Sequence, residues 1–193
     1  MAYPVYLMIG NVPKDICRKP SCHAHILLGY IPTMKLVGIG NKAAHCHTVA
    51  NLFHGCMHTV LDLIAHIRET GVLMMSGDGV WQRCHPVLAI FVGDYPEQAL
   101  VTCTYNGCCS KCEVPPGRLG KYKTFLSHLQ STAIDTYLLA DSNVTVFHHA
   151  CQNASLKPVH HPFWETLPLA DIFLSIMPDI LHQLLQGIMK HLI

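Results

Sequence analysis

Cysteine and aspartate carry the chemistry that the spacing in this chain allows. Cys103, Cys108, Cys109 and Cys112 cluster shortly after Asp94, which closes an apolar run from Val87 to Val92 through Gly93-Asp94-Tyr95-Pro96-Glu97. Cys109 and Cys112 form Cys-x-x-Cys, whose two thiolates can grip one tetrahedral zinc, and Cys103 can supply a third at roughly 2.3 Å. Cys108 is adjacent to Cys109 and poorly placed for the same ion. The fourth ligand has to come from later loops, from Cys151, His148 or His161, and Cys151 completes an all-thiolate set of Cys103, Cys109, Cys112 and Cys151. A redox reading of Cys-x-x-Cys needs a thioredoxin-like strand-to-helix context, which Lys111 between the thiols and Pro115-Pro116 downstream do not supply. Asp94 suits a different metal chemistry. Carboxylates held around shared magnesium or manganese ions activate water and stabilise a phosphoryl leaving group. The plainer reading of Asp94 is a turn-former before Tyr-Pro. Asp179, with His182 at i+3, puts two potential ligands on one helical face, and its plainer reading is an acid at a helix N-terminus.

These residues need elements to hold them. Tyr3 to Ile9 and His25 to Ile31 read as strands that pair across the basic loop Lys14 to Lys19. From Asn41 to Glu69 the apolar residues Ala44, Val49, Phe53, Cys56, Val60, Ile64 and Ile67 recur at helical steps, with Gly71 as the stop. Val72 to Ser76 and Val80 to Cys84 read as a hairpin turned by Gly77-Asp78-Gly79, and Val87 to Val92 as a buried strand that delivers Asp94. Pro115-Pro116-Gly117 and Gly120 mark a loop. Leu126 to Asp141 and Val144 to Asn153 read as short helices, and Pro158, Pro162, Pro168 and Pro178 punctuate extended pieces expected to wrap over the core. Asp179 to Ile193 reads as a helix striped by Ile180, Leu181, Leu184, Leu185, Ile188 and Leu192. The whole is one α/β domain with a mid-chain cysteine-rich insertion.

Composition narrows the classes. At 193 residues, with 50% hydrophobic and 13% charged content, the chain can build a sizeable core and is not disordered. A formal charge of +1 gives no global pull on nucleic acid or membrane. No apolar run spans a bilayer, and the N-terminus reads as no secretory signal, so an intracellular protein with reduced or metal-bound cysteines is expected. Phosphate loop, dinucleotide fingerprint and serine nucleophile elbow are all missing, and no small-molecule substrate is evident. Histidine is over-represented: 15 His stand beside nine Lys and only four Arg, and the triplet His45-Cys46-His47 reads as a solvated helix start.

Several motifs, in order along nearly the whole chain, resemble one known family. They are Tyr3-Pro4-Val5-Tyr6-Leu7, Leu28-Gly29-Tyr30-Ile31-Pro32, Gly93-Asp94-Tyr95-Pro96-Glu97-Gln98, Thr102-Cys103-Thr104-Tyr105-Asn106-Gly107, Cys109 to Pro115, His161-Pro162-Phe163-Trp164 and Asp179-Ile180-Leu181-His182-Gln183. Together they resemble the Plavaka transposases of mushroom-forming fungi, relatives of the Kyakuja-Dileera-Zisupton group. The resemblance implies a ribonuclease H-like fold with an acidic triad that cuts and joins transposon DNA, in the nucleus if functional. On that frame Tyr3 to Ile9 and His25 to Ile31 are strands two and three, Asn41 to Glu69 is the following helix and Val87 to Val92 is strand four. Asp94 is then the second acid and Asp179 the third, with Glu165 a poorer match. The first acid and its strand have no counterpart, so the expectation is an incomplete ribonuclease H-like core over residues 1–100, a zinc-knuckle-like insertion over 101–125 and a truncated helical part over 126–193.

The resemblance also sets arginine near positions 17, 22, 45 to 47, 58, 82, 108 and 152. Here those positions hold Cys17, Cys22, His45, Cys46, His47, His58, Gln82, Cys108 and Gln152. Each is one C-to-T transition in a CGN codon, on one strand or the other, which implies decay at methylated CpG sites, weakened phosphate contacts and little remaining activity. The alternative expectation is a zinc-stabilised module that binds nucleic acid or protein without catalysis. A third is unstable folding, because a missing central strand exposes the edges of its neighbours.

Overall fold

The longest element is helix α2, Lys42–Thr70, and its ends are set by chemistry legible in the chain. The Asn41 side chain accepts hydrogen bonds from the amides of Ala43 at 2.8 Å and Ala44 at 3.4 Å, satisfying two of the donors that a helix start leaves free. At the other end Gly71 adopts φ 66°, and its amide donates to the Ile67 carbonyl at 2.8 Å. The computed structural model describes residues 2–33, 36–119, 123–167 and 169–191. Gly120, Pro168 and Leu192, read above as loop, breaker and stripe positions, lie outside them.

Before α2, strands β1 (Ala2–Met8) and β2 (His25–Pro32) pair antiparallel, with a register shift at Val5/Tyr6 that leaves Leu28 as the extra residue of a bulge. The basic connection contains a single-turn helix α1, Lys14–Cys17. After α2 comes the hairpin of β3 (Val72–Met75) and β4 (Trp81–Cys84), turned by Gly77 to Gly79 as expected; the side chain of Ser76 is bonded to the Asp78 carboxylate.

The expected strand Val87 to Val92 is much shorter in the structure. Only Phe91–Gly93 forms β5, and it pairs parallel with β6, Ile176–Pro178, a strand not anticipated from the sequence. Between them lie α3 (Tyr95–Val101), α4 (Gln130–Tyr137), α5 (Val144–Asn153) and the single turn α6 (Ile172–Ser175). The expected helix over Leu126 to Asp141 is trimmed at both ends. Ser127 is extended and bridges Cys112, and Leu138 to Ser142 is a chain of turns. Asp179 caps a π-type helix, Ile180–Ile188.

The fold is thus mixed α/β, with six strands among the described residues in three separate two-stranded sheets. The single continuous sheet that a ribonuclease H-like core implies is not formed among the described residues.

Packing reverses one expectation. The proline-punctuated stretch does not wrap over the core; it supplies the centre of it. Phe163, Trp164, Ile172, Phe173 and Ile176 are buried together with Val101, Tyr137, Phe147 and Val159. Trp164 is fully enclosed and still satisfied, because its indole N–H donates to the Val101 carbonyl at 2.7 Å. From α2 the buried face is Ala50, His54, Met57 and Leu61, while Phe53, Cys56, Val60 and Ile64 flank it. The N-terminal hairpin contributes little, Ile31 being its one fully buried core residue.

Candidate functional site

Parallel pairing brings the two aspartates singled out above to neighbouring positions. Gly93 is in register with Pro178, so the next residues, Asp94 and Asp179, stand side by side at the C-terminal tips of β5 and β6. The Asp179 amide donates to the Gly93 carbonyl at 2.9 Å and extends the ladder to the tip. Each aspartate also starts a helix. Asp94 Oδ1 accepts from the Glu97 amide at 2.9 Å, and Asp179 Oδ1 from the Leu181 amide at 2.8 Å, so each commits one carboxylate oxygen to a cap.

Two further groups join this edge. Glu97 lies one turn into α3, and its carboxyl is pushed above the ordinary range, first by burial and then by the negative charge of Asp94, with Asp179 adding to it. His182 is raised from its usual value by its hydrogen bond to Asp179 and by the charges of Asp94 and Glu97. Asp179 is lowered by the same bond to His182, then by that from Leu181. Three carboxylates and an imidazole therefore share one electrostatic field, in which a divalent cation would favour the ionised acids. No three of them hold ligand atoms within 4.8 Å of one another in this structure. Glu97 was not singled out from sequence, although Asp94-Tyr95-Pro96-Glu97 carries the N-cap and N3 acid of a capping box, which would have placed it on this edge.

The cysteines divide into two places. Cys109 and Cys112 adjoin each other in a surface loop, where burial and the neighbouring Cys109 raise the Cys112 thiol. The Lys111 amide points at Cys109 Sγ at 3.3 Å, and His128 closes the loop through its amide, donating to the Lys111 carbonyl at 3.0 Å, and its ring Nε2, 3.1 Å from the Cys109 carbonyl. Cys103 is elsewhere, fully buried in the core, with φ 57°. Burial pushes its thiol up to about 12 and that of Cys151 to about 11. Cys103, Cys109, Cys112 and Cys151 are not gathered around one point, so the four-thiolate set is not assembled in this structure. The reason is packing: Cys103 and Cys151 are small apolar members of the core.

His54 lies beside Cys103. Its Nδ1 accepts from the Phe163 amide at 3.3 Å, which leaves the ring proton on Nε2, 3.0 Å from the Leu100 carbonyl and 3.2 Å from Cys103 Sγ. Burial lowers the imidazole to about 4. A neutral histidine that donates toward the thiol is no base for it, so this pair is a core hydrogen-bond junction rather than a nucleophile and its activator. Of the remaining fourth-ligand candidates, His148 lies near His47, their rings tilted and 6.2 Å apart, and His161 lies with Asp141 and His160.

What emerges is a mixed α/β protein with acids on the tips of two adjacent parallel strands and a separate surface thiol pair. The model of the Plavaka transposase family matches residues 1–193, and the chain belongs to that family. None of the curated proteins matches the chain, and no solved structure does. Among the described residues no helix is long and apolar enough to cross a membrane.

Proposed function

We propose that this chain carries part of the catalytic domain of a DNA transposase, with Asp94 and Asp179 as ligands for the magnesium or manganese ions that activate water for strand cleavage. The adjacency of the two aspartates at the tips of β5 and β6 carries this reading. Two acids so far apart in the chain meet only because the strands run parallel and in register, and a strand-tip carboxylate pair is the arrangement that divalent-metal phosphoryl transfer uses. Glu97 and His182 surround the pair, and the ribonuclease H-like core belongs to this reading as the fold that such acids serve. DNA is the partner, held through phosphate contacts that the replaced arginines weaken, so activity as encoded is low.

Calorimetric titration with Mn2+ tests the metal reading, and nicking of supercoiled plasmid follows any remaining activity. Asp94→Asn and Asp179→Asn should each weaken manganese binding on the order of 10- to 100-fold or more, as losing even an outer-sphere partner of a metal ligand does. Both variants should abolish any manganese-dependent nicking. Manganese affinity unchanged in both would sink the assignment.

A second reading, a zinc-stabilised binding module, is favoured by the pairing of Cys109 with Cys112 in a closed loop. Zinc bound at that pair, together with nucleic-acid binding that is indifferent to both aspartate substitutions, would select it.

A further inference from the structure

We propose that Asp141, His160 and His161 form a binding site for a zinc-class divalent cation, separate from both the strand-tip acids and the cysteines. The ligand atoms of these three residues lie within 4.8 Å of one another. His161 Nε2 is 3.6 Å from Asp141 Oδ2. Tetrahedral zinc with bonds of about 2.0–2.2 Å sets two of its ligand atoms roughly 3.3–3.6 Å apart, so this pair already stands at the spacing of a shared ion.

The backbone that presents the two histidines is held from several sides. Val159 and Pro162, which flank them, are buried. Asn51 on α2 accepts from the His160 amide at 2.7 Å, and His58, two turns further along the same face of that helix, has its Nε2 2.9 Å from the His161 carbonyl. Between these clamps His161 takes φ 53°, in the left-handed region that a residue with a β-carbon seldom adopts and that is found where surrounding structure over-determines the backbone. Asp141 is fixed from the other side. It sits in the turn between α4 and α5, where both the amide and the hydroxyl of Ser142 bond the Leu139 carbonyl.

Glu165 gives the cluster its direction. Its Oε2 is 3.2 Å from His161 Nδ1, and its side chain is only 15% exposed, against 78% for Asp141. With the Nδ1 proton donated to Glu165, His161 turns the Nε2 lone pair toward Asp141, the carboxylate–histidine relay that orients metal-bound imidazoles. Two imidazole nitrogens and one carboxylate oxygen, with no thiolate, match zinc and its neighbours rather than magnesium, calcium or cuprous ion. A cation there would fasten the α4–α5 turn to the loop clamped on α2. The competing account is a His161 imidazolium paired with both carboxylates, which gives His160 no part.

Cobalt(II) titration of the full chain in a Cys109→Ser/Cys112→Ser background separates these accounts, because thiolate ligation adds a near-ultraviolet charge-transfer band that nitrogen and oxygen ligands lack. The expected result is one equivalent of cobalt with visible d–d bands, no thiolate band, and displacement by zinc. His160→Ala and His161→Ala should each remove it, and Glu165→Gln should weaken it by about 10- to 100-fold. Zinc should also raise the thermal midpoint of the chain above its value in chelator, and should leave the midpoints of the two histidine variants unmoved. Failure of cobalt to bind in this background, a thiolate-only spectrum, or unchanged affinity in the two histidine variants would overturn the site. Asp94→Asn and Asp179→Asn added to that background keep cobalt off the strand-tip acids, so its outcome is independent of the transposase reading.

Discussion

His54 should make the stability of this protein depend on pH in a calculable way. The imidazole is fully buried, its Nε2–H serves the Leu100 carbonyl and Cys103, and burial lowers its pKa from 6.5 to about 4. Above about pH 6.5 the ring is neutral in both folded and unfolded chains and exerts no pH-dependent effect. As the pH falls below that value the unfolded chain takes up a proton that the folded chain refuses, so stability drains away at about 1.4 kcal/mol per pH unit. The loss ends near the folded value, after about 3 kcal/mol in all, a large share of the 5–15 kcal/mol typical of a domain. Urea unfolding across this range would read it. His54→Gln is the informative variant, since a glutamine amide can still donate to the Leu100 carbonyl but does not titrate. It leaves the Phe163 amide without its acceptor and should lower stability at every pH by about 1–3 kcal/mol. The readout is therefore the slope rather than the level. Between about pH 6.5 and about pH 4.5 the wild-type chain should lose about 2 kcal/mol more than the variant. Burial and the neighbouring His148 also lower His47, but it is present in both proteins and cancels from the comparison. Equal slopes, or an NMR titration placing the His54 ring near its ordinary value, would refute the buried neutral junction.

Two other perturbations probe different parts of the molecule. A β-carbon added at Gly93 would meet Glu97 Oε2 at 2.9 Å and Glu97 Cβ at 3.0 Å, so Gly93→Ala should cost about 1–3 kcal/mol, whereas Gly77→Ala, with open space around it, should stay within about 0.5 kcal/mol; equal effects in urea unfolding would contradict the close approach of α3 to the strand tip. Relatives in the family should carry arginine, in CGN rather than AGR codons, at the counterparts of Cys17, Cys22, His45, Cys46, His47, His58, Gln82, Cys108 and Gln152, which sequencing their genes would read. Only CGN among the arginine codons lies one transition from the codons of cysteine, histidine and glutamine, and relatives with AGR codons or with residues other than arginine at most of these positions would remove the case for decay.

Local signals in the sequence served well where the structure is local. Asn41 and Gly71 bracket α2, Gly77-Asp78-Gly79 turns the β3–β4 hairpin, and Asn143 caps α5, because caps and turns depend on residues within a few positions of each other. What escaped was decided at long range. The partner of β5 is a three-residue strand far along the chain, Ile176–Pro178, with no periodicity long enough to betray it. Proline spacing suggested a covering strap over residues 158–178, yet Phe163, Trp164 and Phe173 are the large side chains that fill the core, and burial followed volume rather than punctuation. On α2 the apolar stripe reads one step off the buried face of Ala50, His54, Met57 and Leu61, because a histidine occupies a core position there.

That misreading matters for the excess of histidine and cysteine, which has no single cause. His54, Cys103 and Cys151 are core residues whose neutral forms the fold requires, and none of them stands where the resemblance sets an arginine. His58 does, and its ring still bonds the His161 carbonyl, a role that an arginine at the same place on α2 could also fill with a longer reach. Cys109 and Cys112 form a third class, a surface pair in a closed loop, chemically available in a way the buried thiols are not. The proposed codon decay concerns only positions where the resemblance sets an arginine, and it leaves the junction of His54 with Cys103 and the cluster of His160 and His161 to other causes. Introducing arginine at positions 17 and 22 should accordingly alter charge and DNA affinity while leaving the pH dependence set by His54 in place, whereas position 58 bears on it, because the charge of His58 helps lower the His54 imidazole.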